Sequence, residues 1–406
     1  MSKTQAPGYS DLLHVEGFPR LVVSLFVGRA AQQMLTVAFV LFVLSRYHSP
    51  QLAGAATFLL LVPGLCLSPI AGALLDRYSR TRMIMVDNLV IGATLFAMAG
   101  LSAGHLLTPP LLLVICAVAS LTGPLGTAGA RAIFPILVPG DLWERANALD
   151  NSGSVLSSVV GAPMAGVLVG FVGPEWALAG TGALYALAGL AVVGVHDPGL
   201  RRLGGRVLAD AWAGLQYVLH NRTLVGLALT FFAMGIGWGC LIIAVPVLVL
   251  DRLHQGPATV GYIWGAVGAS GFISSLFVGR LKTRGRERQL MAVALLAAAF
   301  AMAVLPFAAS VAVVGAALVA VAFVFTPYDI SFLTLRQRRT DPAQFGRAFA
   351  VSVSLNVVGN PVGSALAGPL IAWSLNTALW VAVVFTALGA LLAMVAIPAR
   401  DETHAT

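Results

Sequence analysis

Five ionisable side chains stand within or at the edge of long apolar runs: Arg29, Asp87, Arg131, Asp150 and Asp329. Charge inside a bilayer is costly and is kept where it pairs, gates or carries a proton. Two kinds of chemistry are open to such groups. A carboxylate and an arginine can form a static ion pair that holds helices together, or a carboxylate can exchange a proton as its surroundings change. Asp150 and Asp329 fit either role. Arg29 lies nine residues into the first apolar run, roughly 13 Å deep at 1.5 Å per residue. It is expected to face the bundle interior or the cavity, paired with a carboxylate. The seven histidines (14, 48, 105, 196, 220, 254 and 404) fall at run ends or termini, so none reads as an intramembrane proton relay. Enzyme chemistry is not legible. The apolar runs hold no nucleotide-binding glycine loop, no metal-ligand cluster and no paired nucleophile and base. The chain is read as no enzyme, with no cofactor and no metal.

The elements that position these charges are membrane helices. Apolar periodicity predicts spans at about 20–46, 52–75, 83–104, 109–134, 146–171, 176–196, 223–250, 257–281, 289–308, 311–334, 347–374 and 377–398. Between the second and third lies Gly72-Ala-Leu-Leu-Asp76-Arg77-Tyr-Ser-Arg80-Thr-Arg82, a charged hairpin that must sit at a water interface. Alternate loops collect eighteen basic residues, from Arg77, Arg80 and Arg82 through to Arg336, Arg338, Arg339 and Arg347, while the opposite loops hold Arg46 and Arg252. That bias puts both termini in the cytoplasm and makes the number of spans even.

Composition agrees. The 406 residues are 58% hydrophobic and 10% charged, against about 25% charged in soluble domains. The net charge of +8 gathers in loops, which points to topology and anionic lipid headgroups rather than nucleic acid. Cys66, Cys116 and Cys240 fall in apolar runs without metal-ligand spacing and read as packing residues. The apolar run from Leu21 is too long for a cleavable signal, so the first helix is expected to stay.

The two halves resemble each other. Gly72-x-Leu-x-Asp-Arg77 recurs as Gly279-x-Leu-x-Thr-Arg284, an offset of 207. His14 and Leu21 recur as His220 and Leu227, an offset of 206. Arg145-Ala146, Gly161 and Ala165-Gly166 recur as Arg347-Ala348, Gly363 and Ala367-Gly368, an offset of 202. The chain therefore divides into a six-helix bundle over 1–196, a linker over 197–222 and a second six-helix bundle over 223–406. The two are related by an axis along the membrane normal. Leu208, Trp212, Leu215, Val218 and Leu219 at helical spacing predict an interfacial amphipathic helix in the linker, a plain linker being the alternative.

The hairpin pattern Gly-x-Leu-x-Asp-Arg-x-x-Arg resembles the loop after the second helix in the major facilitator superfamily of transporters. Three further stretches narrow the likeness: Phe18-Pro-Arg-Leu21 leading to Gly28-Arg29; Arg131-Ala-Ile-Phe-Pro135 followed by Arg145-Ala-Asn147; and Gly346-Arg347-Ala348 followed by Asn356-Val-Val-Gly359-Asn360-Pro-Val-Gly363. Together they resemble the bacterial exporter branch that includes enterobactin exporters and macrolide efflux proteins.

The resemblance implies an all-α membrane protein of twelve transmembrane helices in two six-helix bundles, acting as a monomer in the bacterial cytoplasmic (inner) membrane. It implies export of an amphipathic small molecule (a drug, siderophore or metabolite) by alternating access, with protons as the expected counter-ion. A lipid or lysolipid transporter of the same fold is the alternative, and uptake is not excluded by the repeat. Gly72, Asp76, Arg77, Arg80 and Arg82 would form the cytoplasmic gate, a charge-assisted contact that breaks as the cavity opens inward; the bland reading is a topogenic loop. Gly153, Gly161, Pro163 and Gly166 resemble the antiporter branch's fifth-helix motif, in which small residues allow close approach and proline a bend; ordinary packing is the other reading. In the resembling fold the first and fifth helices are neighbours, which makes Asp150 the expected partner of Arg29. Asp87 would join the gate with Arg77 or Arg131, and Asp329 would sit on a cavity-lining helix. Gln32, Gln33, Trp238, Tyr328, Asn356 and Asn360 are the cavity candidates, and amide and aromatic groups there suit an amphipathic cargo.

Overall fold

The computed structural model describes residues 9–197, 207–278, 285–340 and 358–399. Within these, the side chains of Gly72, Asp76, Arg77 and Arg131 lie outside the description, as does Asn356 altogether. Every regular element described is helical. A short α1 (Tyr9–His14) leads into α2 (Phe18–Tyr47). Next come α3 (Pro50–Leu59), α4 (Val62–Arg77), α5 (Arg80–Ala103), α6 (Pro109–Ser120), α7 (Gly123–Leu137), α8 (Trp143–Val172) and α9 (Pro174–Ala191). The second half holds α10 (Val207–His220), α11 (Arg222–Val247), α12 (Pro257–Val278), α13 (Glu287–Met302), α14 (Val311–Arg338), α15 (Gly359–Trp373) and α16 (Leu375–Val395). Among the described residues, ten helical segments are long and apolar enough to cross a membrane. The other two predicted spans correspond to α9 and α15.

Two expected spans are not continuous. The segment 52–75 is split into α3 and α4, and 109–134 into α6 and α7. Pro63 and Pro124 stand in the first turns of α4 and α7. A proline has no amide hydrogen and clashes with the carbonyl four residues back. The two breaks adjoin: the Gly64 amide donates to Ser120 Oγ at 3.1 Å. Backbone groups released inside a membrane need such a partner.

The first half packs α2 against α8 and α9, and α5 against α7 and α9. The second packs α11 against α15 and α16, and α13 against α14 and α16. The halves meet along two seams, α8 on α12 and α3 on α15. At the first seam a Cβ on Gly166 would lie 2.7 Å from the Gly261 Cα, so backbone rests on backbone. At the second, a Cβ on Gly54 would lie 2.2 Å from the Ser364 carbonyl oxygen. Close approach between small residues is how helices associate where lipid removes the hydrophobic drive. Gly166 and Gly54 both lie toward the end of the molecule where α2 finishes and α12 begins, so the halves are sealed together at that end. Large apolar side chains are exposed around it, among them Phe171 at 81% and Trp373 at 83%. In a membrane span such exposure faces lipid, and aromatic rings favour its interface.

Candidate functional site

Between the halves lies a cavity with two unlike walls. One part, about 110 Å³, is lined by Gln33, Thr36, Val37 and Val40 of α2, by Trp238, Ile242 and Pro246 of α11, and by Trp264 of α12. An adjoining part of about 290 Å³ is lined by Arg29, Gln32, Gln33, Thr36 and Ser154. Along α2 the lining changes from charged to amide to aliphatic: Arg29, Gln32 and Gln33, Thr36, Val37, Val40. These positions recur at three and four residues, which is one face of a helix.

The opposite wall is aromatic. Trp238 and Trp264 meet edge to face, centroids 5.6 Å apart, and Trp238 continues to Phe325 at 5.7 Å. Phe325 meets Tyr328 at 5.7 Å, and Tyr328, Phe231 and Phe332 extend the chain of rings. Edge-to-face contacts fix ring orientation and hold the exposed faces in place.

At the polar wall Arg29 and Asp150 form a two-pronged pair. Arg29 Nη1 lies 2.8 Å from Asp150 Oδ1, and Nη2 donates to Oδ2 at 2.9 Å. Nη1 also donates to the Asp150 backbone carbonyl at 2.8 Å. Both side chains are 29% exposed. The pair thus ties α2 to α8 while remaining open to water and to a ligand. A planar guanidinium matches a carboxylate bidentately, which fixes geometry as well as charge.

A cavity between two helical halves, sealed at one end by helix pairs from opposite halves, is the architecture of a transporter. The Major Facilitator Superfamily pattern matches residues 21–351, and again 227–406. The chain belongs to this superfamily. It is 38% identical over 397 residues to the uncharacterized MFS-type transporter y4rN of Sinorhizobium fredii, covering 96% of this chain and 97% of that one. It is 26% identical over 366 residues to the multidrug efflux pump Tap of Mycobacterium tuberculosis, covering 86% of each. It is 26% identical over 332 residues to the enterobactin exporter EntS of Escherichia coli, covering 79% and 76%. In three dimensions it resembles the nucleoside transporter NupG, with a TM-score of 0.78 at 13% identity over 94% of this chain and 99% of that one. At that identity the likeness speaks for the fold. As a superfamily member with apolar helices throughout, this chain is a multi-pass membrane transporter.

Within this major facilitator frame the remaining candidates fall into place unevenly. Gln32, Gln33 and Trp238 line the cavity. Tyr328 does not: it is wholly buried, and its hydroxyl has no partner among the described residues. Its position on α14 turns it into the core against Phe231 of α11. Asn360 meets α11 through its backbone, since a Cβ on Gly239 would lie 2.0 Å from the Asn360 carbonyl oxygen. Asp329, next to Tyr328, is exposed and has no ion pair among the described residues.

The four fifth-helix residues serve two contacts rather than one. A Cβ on Gly153 would fall 2.2 Å from Phe26, and one on Gly161 2.7 Å from the Gln33 Cβ, both on α2. Pro163 and Gly166 face α12, where Pro163 packs on Gly265. Only the latter two touch the opposite half.

At the hairpin, α4 runs on to Arg77 and α5 begins at Arg80, leaving a turn of Tyr78 and Ser79. Gly72, Asp76 and Arg77 belong to α4, and the contacts of their side chains are outside the described residues. Arg82 is exposed. Arg80 is held: its amide donates to Asp197 Oδ2 at 2.7 Å, and its Nη1 to Oδ1 at 3.1 Å. A carboxylate at a helix N-terminus satisfies a free amide and suits the positive end of the helix dipole.

Asp197 was not among the sequence candidates, although an acid directly after the sixth span and close to Arg201 and Arg202 was a usable signal. Trp264, Thr36 and Ser154 were also missed. A lone tryptophan in an apolar run gives no hint of the face it occupies.

Proposed function

We propose that the chain is a secondary active exporter of amphipathic small molecules bearing an aromatic ring, driven by proton influx. One observation carries this reading: the amide and arginine wall of α2 and α8 faces the tryptophan wall of α11 and α12 across one cavity. A ring can lie against Trp238 and Trp264 while hydrogen-bonding groups reach Gln32, Gln33 and the Arg29–Asp150 pair. Outward direction is supported by likeness to an efflux pump and a siderophore exporter.

Alternating access then follows from the two seams. The end sealed at Gly166–Gly261 carries Arg46 and Arg252, the two basic residues of the sparsely charged loops, and is the outer face by the positive-inside bias. The bundles 1–196 and 223–406 rock about the cavity. The segment 197–222 joins them, and α10 lies on the inner membrane surface with Trp212 exposed and Val218 buried. Asp76 and Arg77, at the inner end of α4, lock the opposite state. The unit is a monomer with both termini cytoplasmic.

The test uses the purified chain in liposomes with a pH-sensitive dye trapped inside. A proton gradient is imposed, and a panel of aromatic drugs, catecholate siderophores and lysolipids is added. Cargo movement coupled to proton movement is expected for aromatic amphiphiles. Lysolipid movement with no proton movement would replace this reading with the lipid-transporter one. In the same assay Asp76→Asn should slow transport several-fold while leaving membrane insertion intact; an unchanged rate would return the hairpin to a topogenic role.

A further inference from the structure

Asp87 stands seven residues into α5, about 10 Å along it at 1.5 Å per residue. It is 8% exposed, and its Oδ1 has no hydrogen-bond partner among the described residues. Its surroundings are built around it. Gly126 of α7 leaves room for the carboxyl: a Cβ there would lie 1.9 Å from Oδ2. The break between α6 and α7 is alongside, where the Thr122 side chain meets the carboxyl. The Thr122 hydroxyl donates to the Ala119 carbonyl at 3.3 Å. From α9 comes Tyr185, 5% exposed. From α2 comes Gly28, packed on Asn88; its neighbour Arg29 is turned to Asp150. On α5 itself Arg80 is bound to Asp197. No described cation touches Asp87. The side chains of Asp76, Arg77 and Arg131 lie outside the described residues.

We propose that Asp87 is a proton-binding site, occupied as the neutral acid in this conformation. An ionised carboxylate buried without a cation is strongly disfavoured. Among the described residues no cluster of His, Cys, Asp or Glu gathers at Asp87 to hold a metal ion. A broken span next to a buried polar group is where transporters hold ions, and here the ion that fits is a proton. Release breaks the O–H bond, leaves the electron pair on the carboxylate and delivers the proton to water beyond the first turns of α5. That end carries Arg80 and Arg82 and is the cytoplasmic side. The carboxyl lies between α5 and the start of α7, and neither helix supplies a residue to the cavity lining. This role rests on the proton-driven reading above; the protonation of Asp87 does not.

Infrared difference spectroscopy of the full chain in liposomes, with the pH stepped, tests the site without a cargo. We expect a protonated-carboxyl band that disappears as pH rises, is absent in Asp87→Asn and persists in Asp150→Asn. Gly126→Ala, which presses a methyl group on the carboxyl, should move the midpoint of the band. A band that survives Asp87→Asn overturns the proposal, as does one that responds to sodium at fixed pH. Should Asp87 titrate as expected while a proton gradient moves no cargo, the site stands and the antiport reading fails.

Discussion

The two halves of this transporter follow a similar sequence pattern and are filled differently. In the first half two spans are broken, and Arg29, Asp87 and Asp150 sit inside the bundle. Their counterparts by the repeat offsets are Gly235, Ala294 and Ser352, none of them charged. In the second half the corresponding volume holds rings: Phe231, Trp238, Trp264, Phe325, Tyr328 and Phe332. The difference teaches that a repeat fixes the path of the backbone, not the chemistry hung on it. The first bundle turns a charged pair toward the cavity; the second turns rings toward it and keeps its buried charges, Glu287 and Arg336, near the ends of α13 and α14. A cargo bound between them reports to both.

The strongest way to break that contrast is to move a charge across it. Ala294→Asp puts a carboxylate into α13 at a position 6% exposed with no glycine partner built for it. We expect a loss of several kcal/mol and little folded protein, measured by yield and thermal melting in detergent. A stable, active variant would show that this part of α13 tolerates an unpaired carboxylate as α5 does at Asp87.

Next in size is Asp150→Asn. It leaves Arg29 uncompensated, yet the pair is 29% exposed, so water relieves part of the loss. A drop of about 1–3 kcal/mol is expected. Adding Arg29→Gln should recover part of it, because the two changes couple. Additive losses would dissolve the pair as a unit.

Trp238→Ala sharpens the contrast from the other side. Transport of an aromatic dye should weaken by roughly 1–2 kcal/mol in apparent affinity, read as a higher KM, while an aliphatic cargo is little affected. Equal losses for both cargoes would mean that the ring serves packing rather than recognition. The smallest effect is expected at the breaks. Ser120→Ala removes the acceptor for the Gly64 amide and should cost about 1 kcal/mol; faster hydrogen exchange at Gly64 is the readout.

Much of the architecture is legible in the amino acids. Runs long enough to span, basic residues confined to alternate loops and a second half offset by about 202–207 positions lead to two six-helix bundles. The helix breaks were not legible for a physical reason. Proline occurs at 63 and 124, where helices break, and at 246, 327 and 369, where they continue. What differs is whether a neighbour accepts the freed backbone, as Ser120 does for Gly64, and that is a tertiary fact. The same limit applied to the cavity. Gln32 and Gln33 stand out because amides are rare in an apolar run. Tyr328 stood out equally and is buried, because the rotation of α14 about its axis is not written in its composition. Asp197 was overlooked because its meaning depends on a helix 117 positions away.

The backbone-on-backbone seam at Gly166 and Gly261 constrains how this protein can evolve. A contact made without side chains offers nothing to adjust: nearly every substitution adds bulk, and no compensating change restores the fit. A saturation scan would find near-total intolerance there. The walls at Gln33, Thr36, Trp238 and Trp264, by contrast, are side chains over open space and can be exchanged singly. New cargo preferences can therefore arise by drift in the walls while the closing surface stays frozen, so descendants with unrelated substrates would keep an almost identical seam.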